Sequence, residues 1–246
     1  AGLASHDERL QLIASECLDA ALEAYHFTSH YGFDFGARSR DYGYAPRRGP
    51  ESRAWFKPFV ALAVEFGAQQ SPVGVMVRNV LSSSFRSLWS VAGVYDELES
   101  ALETLAPLGW EKAWFAIRKT LKYDRKGMPE TALRKLTELE RLVRPATLVD
   151  RAKAIVLTSY GSGLDVTDGD EEDDLRHYER AEAHAQELGE LVAADTAAFE
   201  TLLPLLVENR QGRQGRFGFG LAKGTDDPAG MWRMLSAALV SASPSA

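Results

Sequence analysis

A single cysteine, Cys17, stands in the 246 residues of this chain. It has no partner for an internal disulfide, and the expected setting is a reducing compartment, the cytoplasm. Long apolar runs are also missing. No stretch reaches the roughly 18 residues that a membrane-spanning helix needs. The opening AGLASHDERL lacks the basic and apolar regions of a secretory signal, so no membrane association is expected. Positive charge is in short supply: 28 lysines and arginines face 35 acids, for a net charge of −7 and an isoelectric point near 5.4. That balance excludes a protein whose whole surface coats nucleic acid or an anionic membrane, while leaving room for local basic patches. Strand-like alternation of apolar and polar residues is absent as well.

What remains is helical periodicity, in a chain that is 45% apolar and long enough to bury one large core or two modest ones. Steps of three and four place Leu10, Ile13, Cys17, Ala21 and Tyr25 on one stripe of a first helix. Phe56, Val60 and Val64 mark a second, and Trp110, Trp114, Ile117 and Leu121 a later one. Ser71 followed by Pro72 reads as an N-cap with proline in the first turn, and Asp195 and the pair Asp227, Pro228 open two more helices. Gly93 reads as a stop. The segment RQGRQGRFGFGLAKG reads as a glycine-punctuated linker or weak helix, and Pro204 is expected to kink its helix. The expected class is all-α, an irregular α-solenoid or stacked helical hairpins of about ten helices. The glycine and acid stretch GSGLDVTDGDEEDD places the expected division between a helical subdomain 1–163 and a second one 164–246.

Catalytic and cofactor motifs fail one by one. GLAKGT has the wrong order for a phosphate-binding Walker loop, and in GFGLAKG a lysine, Lys223, takes the third glycine's place of a dinucleotide fingerprint. His26 and His30 lie four apart, yet no third ligand follows at a zinc-site spacing. The acidic run from Asp165 fails as a calcium loop: with Gly169 at the sixth position, Leu164 stands where an aspartate is required. It reads instead as a helix start, where carboxylates favour the positive end of the dipole. No nucleophile with an adjacent base can be named, so the expectation is no catalytic residue, no metal and no cofactor.

The long stretch FDFGARSRDYGYAPRRGPESR, residues 33–53, is the main exception to short connections. Arg38, Arg40, Arg47, Arg48 and Arg53 are candidate phosphate ligands and Phe33, Phe35, Tyr42 and Tyr44 candidate stacking platforms, as in single-strand binders. Equally, the aromatics can tuck the loop onto neighbouring helices while the arginines bridge to acids. The arginine and glycine segment 210–220 adds Arg213 and Arg216 to the candidate binding set.

FDFGARSRDYGY, the tryptophan helix GWEKAW, the hinge LERLVRPATLVDRAKAIVL and the closing RFGFGLAKG with MWRML together resemble the helical region downstream of the nucleotide-binding core in large bacterial STAND-type ATPases. The resemblance implies a sensor or scaffold region of a signalling or anti-phage defence protein. It implies protein partners or other domains of a larger chain, and no nucleotide site, because the Walker lysine and aspartates are not in this sequence. Nucleic-acid binding through the two arginine segments is the alternative.

Overall fold

The computed structural model describes residues 2–24, 49–110, 112–156, 174–208 and 214–242. Among them are eleven α-helices and no strand. The expected all-α class is what the chain adopts. Two compact units divide it, Ala1–Val143 and Arg144–Ala246. The division of contacts precedes the helix Leu148–Val156, whereas the sequence reading drew its boundary after residue 163. That helix packs on the two helices that follow it.

The first unit holds α1 (Glu8–Leu22), α2 (Gly49–Gly67), α3 (Pro72–Ser87), α4 (Tyr95–Leu105), α5 (Lys112–Asp124) and α6 (Glu130–Val143). Its principal pairs are one or two places apart in the order: α3 packs on α1, α2 and α5, while α4 packs on α2 and α6. That is the neighbour pattern of stacked hairpins. Local signals start and stop these helices as expected. The Ser71 side chain accepts from the Gly74 amide at 3.2 Å, and Pro72 needs no donor in the first turn. Gly93, at φ 67°, closes the helical run in a left-handed conformation that favours glycine. Pro50 likewise sits in the first turn of α2, so the helix begins at Gly49, inside the stretch read as a connection through residue 53.

In α1 the expected stripe is not the buried one. Leu10 and Ile13 are 47% and 45% exposed, and Cys17 is exposed too. Ser15, Leu18 and Leu22 face inward instead. Two overlapping three-four stripes exist in this helix, and packing against α2 and α3 selects the one containing Leu18 and Leu22. Periodicity alone does not rank them.

The second unit holds α7 (Leu148–Val156), α8 (Asp174–Ala193), α9 (Thr196–Glu208), α10 (Gln214–Gly224) and α11 (Pro228–Ala242). Asp195 caps α9 by accepting from the Ala198 amide at 3.0 Å, and Asp227 caps α11 through the Gly230 amide at 2.8 Å. The glycine-rich segment is a helix, α10, lying backbone to backbone on α8. A Cβ added at Gly220 would stand 2.0 Å from the Gln186 carbonyl oxygen, and one at Gly189 would stand 2.2 Å from that of Phe217. Gly224, one turn further on, meets Glu190 in the same way. Here glycine costs helix propensity, about 1 kcal/mol each against alanine, but permits a close approach that buries Phe217 and Leu221.

Candidate functional site

The last turn of α3 runs into a π-helical segment, Leu88–Ala92. The wider turn splits its residues between two sides: Leu88, Trp89 and Ala92 are buried, while Ser90 and Val91 are exposed. Such segments recur at functional sites because they re-aim side chains that a regular helix would hold in register.

Beneath them, Trp89 stacks on Phe85 with centroids 5.8 Å apart and planes at 12°, and meets the ring of Tyr95 at 4.9 Å. The Trp89 Nε1 is buried without a hydrogen-bond partner in the protein, so this ring is held by packing alone. Arg86, in the last turn of α3, reaches across to the end of α5. Its Nε donates to Asp124 Oδ2 at 2.9 Å and its Nη2 to Oδ1 at 2.6 Å. The Ser90 hydroxyl donates to the same Oδ2 at 2.6 Å. Arg86 and Asp124 side chains are only 29% and 17% exposed. A two-pronged, half-buried pair of this kind is more strongly held than a surface ion pair. The Arg86 guanidinium also lies 4.9 Å from the centroid of Tyr123, with the Lys122 ammonium at 5.4 Å.

These groups border a cleft of about 330 Å³. Val91, Tyr95, Tyr123, Met128 and Pro129 make its apolar wall, and Arg86, Ser90 and Asp124 its polar one. Arg53, the last arginine of the 33–53 stretch, comes to the edge: its Nη1 lies 3.7 Å from where a Cβ on Gly93 would stand, and the Tyr95 hydroxyl lies 3.8 Å from the same point.

The polar groups of the cleft are already engaged with one another. Asp124 accepts three hydrogen bonds from Arg86 and Ser90, which lowers its worth as a proton acceptor. Ser90 faces a carboxylate already neutralised by a guanidinium, not a histidine poised to take its proton. No group of three or more His, Cys, Asp or Glu side chains within reach of one metal ion occurs among the described residues.

Few of the candidates drawn from the sequence are among the described residues. Arg38, Arg40, Arg47, Arg48 and Arg213 lie outside the described residues, as do His26, His30 and the acidic stretch 163–173. Arg216 is on α10, and its Nε donates to Glu182 Oε2 of α8 at 3.0 Å. The cleft itself escaped the sequence reading, since Arg86 and Asp124 are 38 positions apart and nothing local ties them. The one signal for it was the cationic run KYDRKG with a lone acid inside it. Compared with family models, curated proteins and solved structures, the chain matches none.

Proposed function

We propose that the chain is a non-catalytic helical interaction module, a sensor or scaffold that engages a protein partner or other domains of a larger chain. The resemblance to STAND-type ATPases supports placing it in bacterial signalling or defence, in the cytoplasm. The observation that carries the reading is the preformed cleft beside the π-helical turn. Its polar wall is locked by the Arg86, Asp124 and Ser90 network, and its open wall offers tyrosine, methionine and proline. Tyrosine, methionine and arginine are enriched in recognition surfaces, and a wall already in place costs little ordering on binding. Among the described residues no helix is long and apolar enough to cross a membrane. The nucleic-acid alternative has two described members, Arg53 on α2 and Arg216, whose guanidinium is engaged by Glu182.

A photo-crosslinking residue placed at Val91 on the cleft, and at Val75 on the opposite end of α3 as a control, tests the reading. The expected result is a discrete protein captured from Val91 alone, which binds the unmodified chain saturably when both are purified. Identical captures from the two positions, or saturable turnover of a small substrate by the purified chain, would contradict it.

A further inference from the structure

We infer that α11 is the contact between two copies of this chain, paired antiparallel about Ser236 in a weak, reversible dimer. The ground is a helix that is apolar on two sides and covered on one. Every other described helix buries at least one residue, whereas residues 228–241 of α11 bury none. Arg233 is its only charged residue. At roughly 100° per residue, Met231, Met234 and Leu235 share one side, and these three pack on the core of the second unit, where α11 meets α9. A second stripe, Trp232, Ser236, Leu239 and Val240, repeats at steps of three and four and is turned about a third of a circle from the first. Trp232, Leu239 and Val240 are 66%, 51% and 77% exposed. A helix on the surface of one unit needs a single apolar stripe, and a contiguous exposed one marks an interaction surface.

Charge and symmetry name the occupant. A lipid surface or a nucleic-acid strand draws on lysine and arginine, and α11 offers one arginine in a unit of 17 acids and 10 bases. A two-fold contact sets one surface against itself, so it tolerates few charges and needs large residues to face smaller ones. Trp232 and Val240 stand four residues either side of Ser236. Antiparallel pairing centred there sets each Trp232 opposite the partner's Val240, and the small Ser236 at the crossing lets the two helices approach. Arg233 then comes beside the last turn of the partner's α11, where the terminal carbonyls favour a cation, and α11 holds no second charge to clash with it. From Trp232 to Val240 the stripe is about 12 Å long. Contacts this small bury less than about 1,200 Å² in all and are weak and transient, and the two acidic units repel one another further at low salt. The cleft of the first unit takes no part, so this inference and the interaction reading stand on separate observations.

Sedimentation velocity of the full chain from about 1 to 500 µM, in low and in physiological salt, tests this. The expected result is a reversible equilibrium of monomer and dimer that shifts toward dimer with concentration and, because salt screens the like-charged units, with added salt. Trp232→Glu and Val240→Glu each alter an exposed residue, so both should keep the wild-type circular dichroism and melt while weakening the dimer about tenfold or more. Phe219→Glu, at the exposed aromatic of α10, should leave the dimer unchanged. In a Cys17→Ser background, Ser236→Cys should cross-link copy to copy under mild oxidation, and Trp232→Cys should cross-link only when mixed with Val240→Cys. A monomer at every concentration, a dimer weakened by salt, or a dimer that survives both glutamate variants would each overturn the inference. Cross-linking of Trp232→Cys to itself in preference to Val240→Cys would overturn the antiparallel register.

Discussion

The two units solve the same packing problem by opposite means. Ala1–Val143 contains 18 acids and 18 bases, whereas Arg144–Ala246 contains 17 acids and 10 bases and so carries the whole net charge of −7. The first unit fills its interior with large side chains, among them Trp89, Phe56 and Phe85, all fully buried. The second has a smaller core around Leu188, Phe199 and Phe217 and gains closeness by removing side chains, at Gly189, Gly220 and Gly224. It also leaves Phe219, Trp232 and Val240 at 58%, 66% and 77% exposure. Aromatic volume stabilises by area removed from water, while glycine contact stabilises only if the two backbones keep their register. The first kind of core should therefore be hurt most by deletion, the second by addition.

Trp89→Ala sharpens that contrast with the largest effect. Truncating a fully buried tryptophan costs about 3 to 5 kcal/mol, and hydrogen exchange across the full chain should show faster exchange in α3, α4 and α5 with α8 and α10 unchanged. Uniform acceleration in both units would break the comparison. Gly220→Ala comes next. Its Cβ has no room beside the Gln186 carbonyl, and overpacking of this sort costs about 1 to 3 kcal/mol, so the melt should fall and the exchange of α8 and α10 rise. Elsewhere in a helix interior the same change would stabilise. A rise in stability on Gly220→Ala would mean that the two helices are not in backbone contact.

Those glycines show why the sequence misled at α10. Glycine lowers helix propensity, and RQGRQGRFGFGLAKG reads as linker until a facing helix with Gly189 supplies the reason for it. Caps were legible because their chemistry is local: Ser71, Asp195 and Asp227 each bond an amide three residues on. The inward side of α1 was not, since Leu10 and Ile13 compete with Leu18 and Leu22 on an equally good spacing. Nor was the cleft, whose network joins the end of α3 to the end of α5 across dozens of intervening residues.

Arg86→Met tests the network at intermediate size. Removing the guanidinium leaves a half-buried Asp124 with the Ser90 hydroxyl, and the loss should fall between a surface pair and a buried one, about 1 to 3 kcal/mol. Asp124→Asn in the Arg86→Met background should recover part of it, as read from paired melting curves. An unchanged melt for Arg86→Met would show that the cleft wall is not held by this pair.

The smallest effect concerns Lys135 with Asp96 and Glu99. Hydrogen bonding to Lys135, with its charge second, lowers the Asp96 pKa, and hydrogen bonds from Asp96 and Glu99 raise that of Lys135. A depressed carboxylate stabilises above its unfolded pKa, and that share is lost as pH falls through the folded value. A raised lysine stabilises below its unfolded pKa, and its share is lost as pH rises through the folded value. Lys135→Gln should therefore flatten the stability profile slightly at both its acidic and its strongly basic ends, and added salt should erase the difference. The two profiles should differ most near neutral pH and converge at both ends, and a difference that stays constant from acidic to strongly basic pH would contradict the assignment.

The central claim is that recognition lies on the neutral, aromatic-cored unit and not on the acidic one with its exposed Trp232. Hydrogen exchange of the full chain with and without a saturating amount of the protein captured at Val91 measures this directly. The account predicts slowed exchange concentrated in residues 86–95 and 123–129. Protection confined to α10 and α11, with the cleft unchanged, would contradict it.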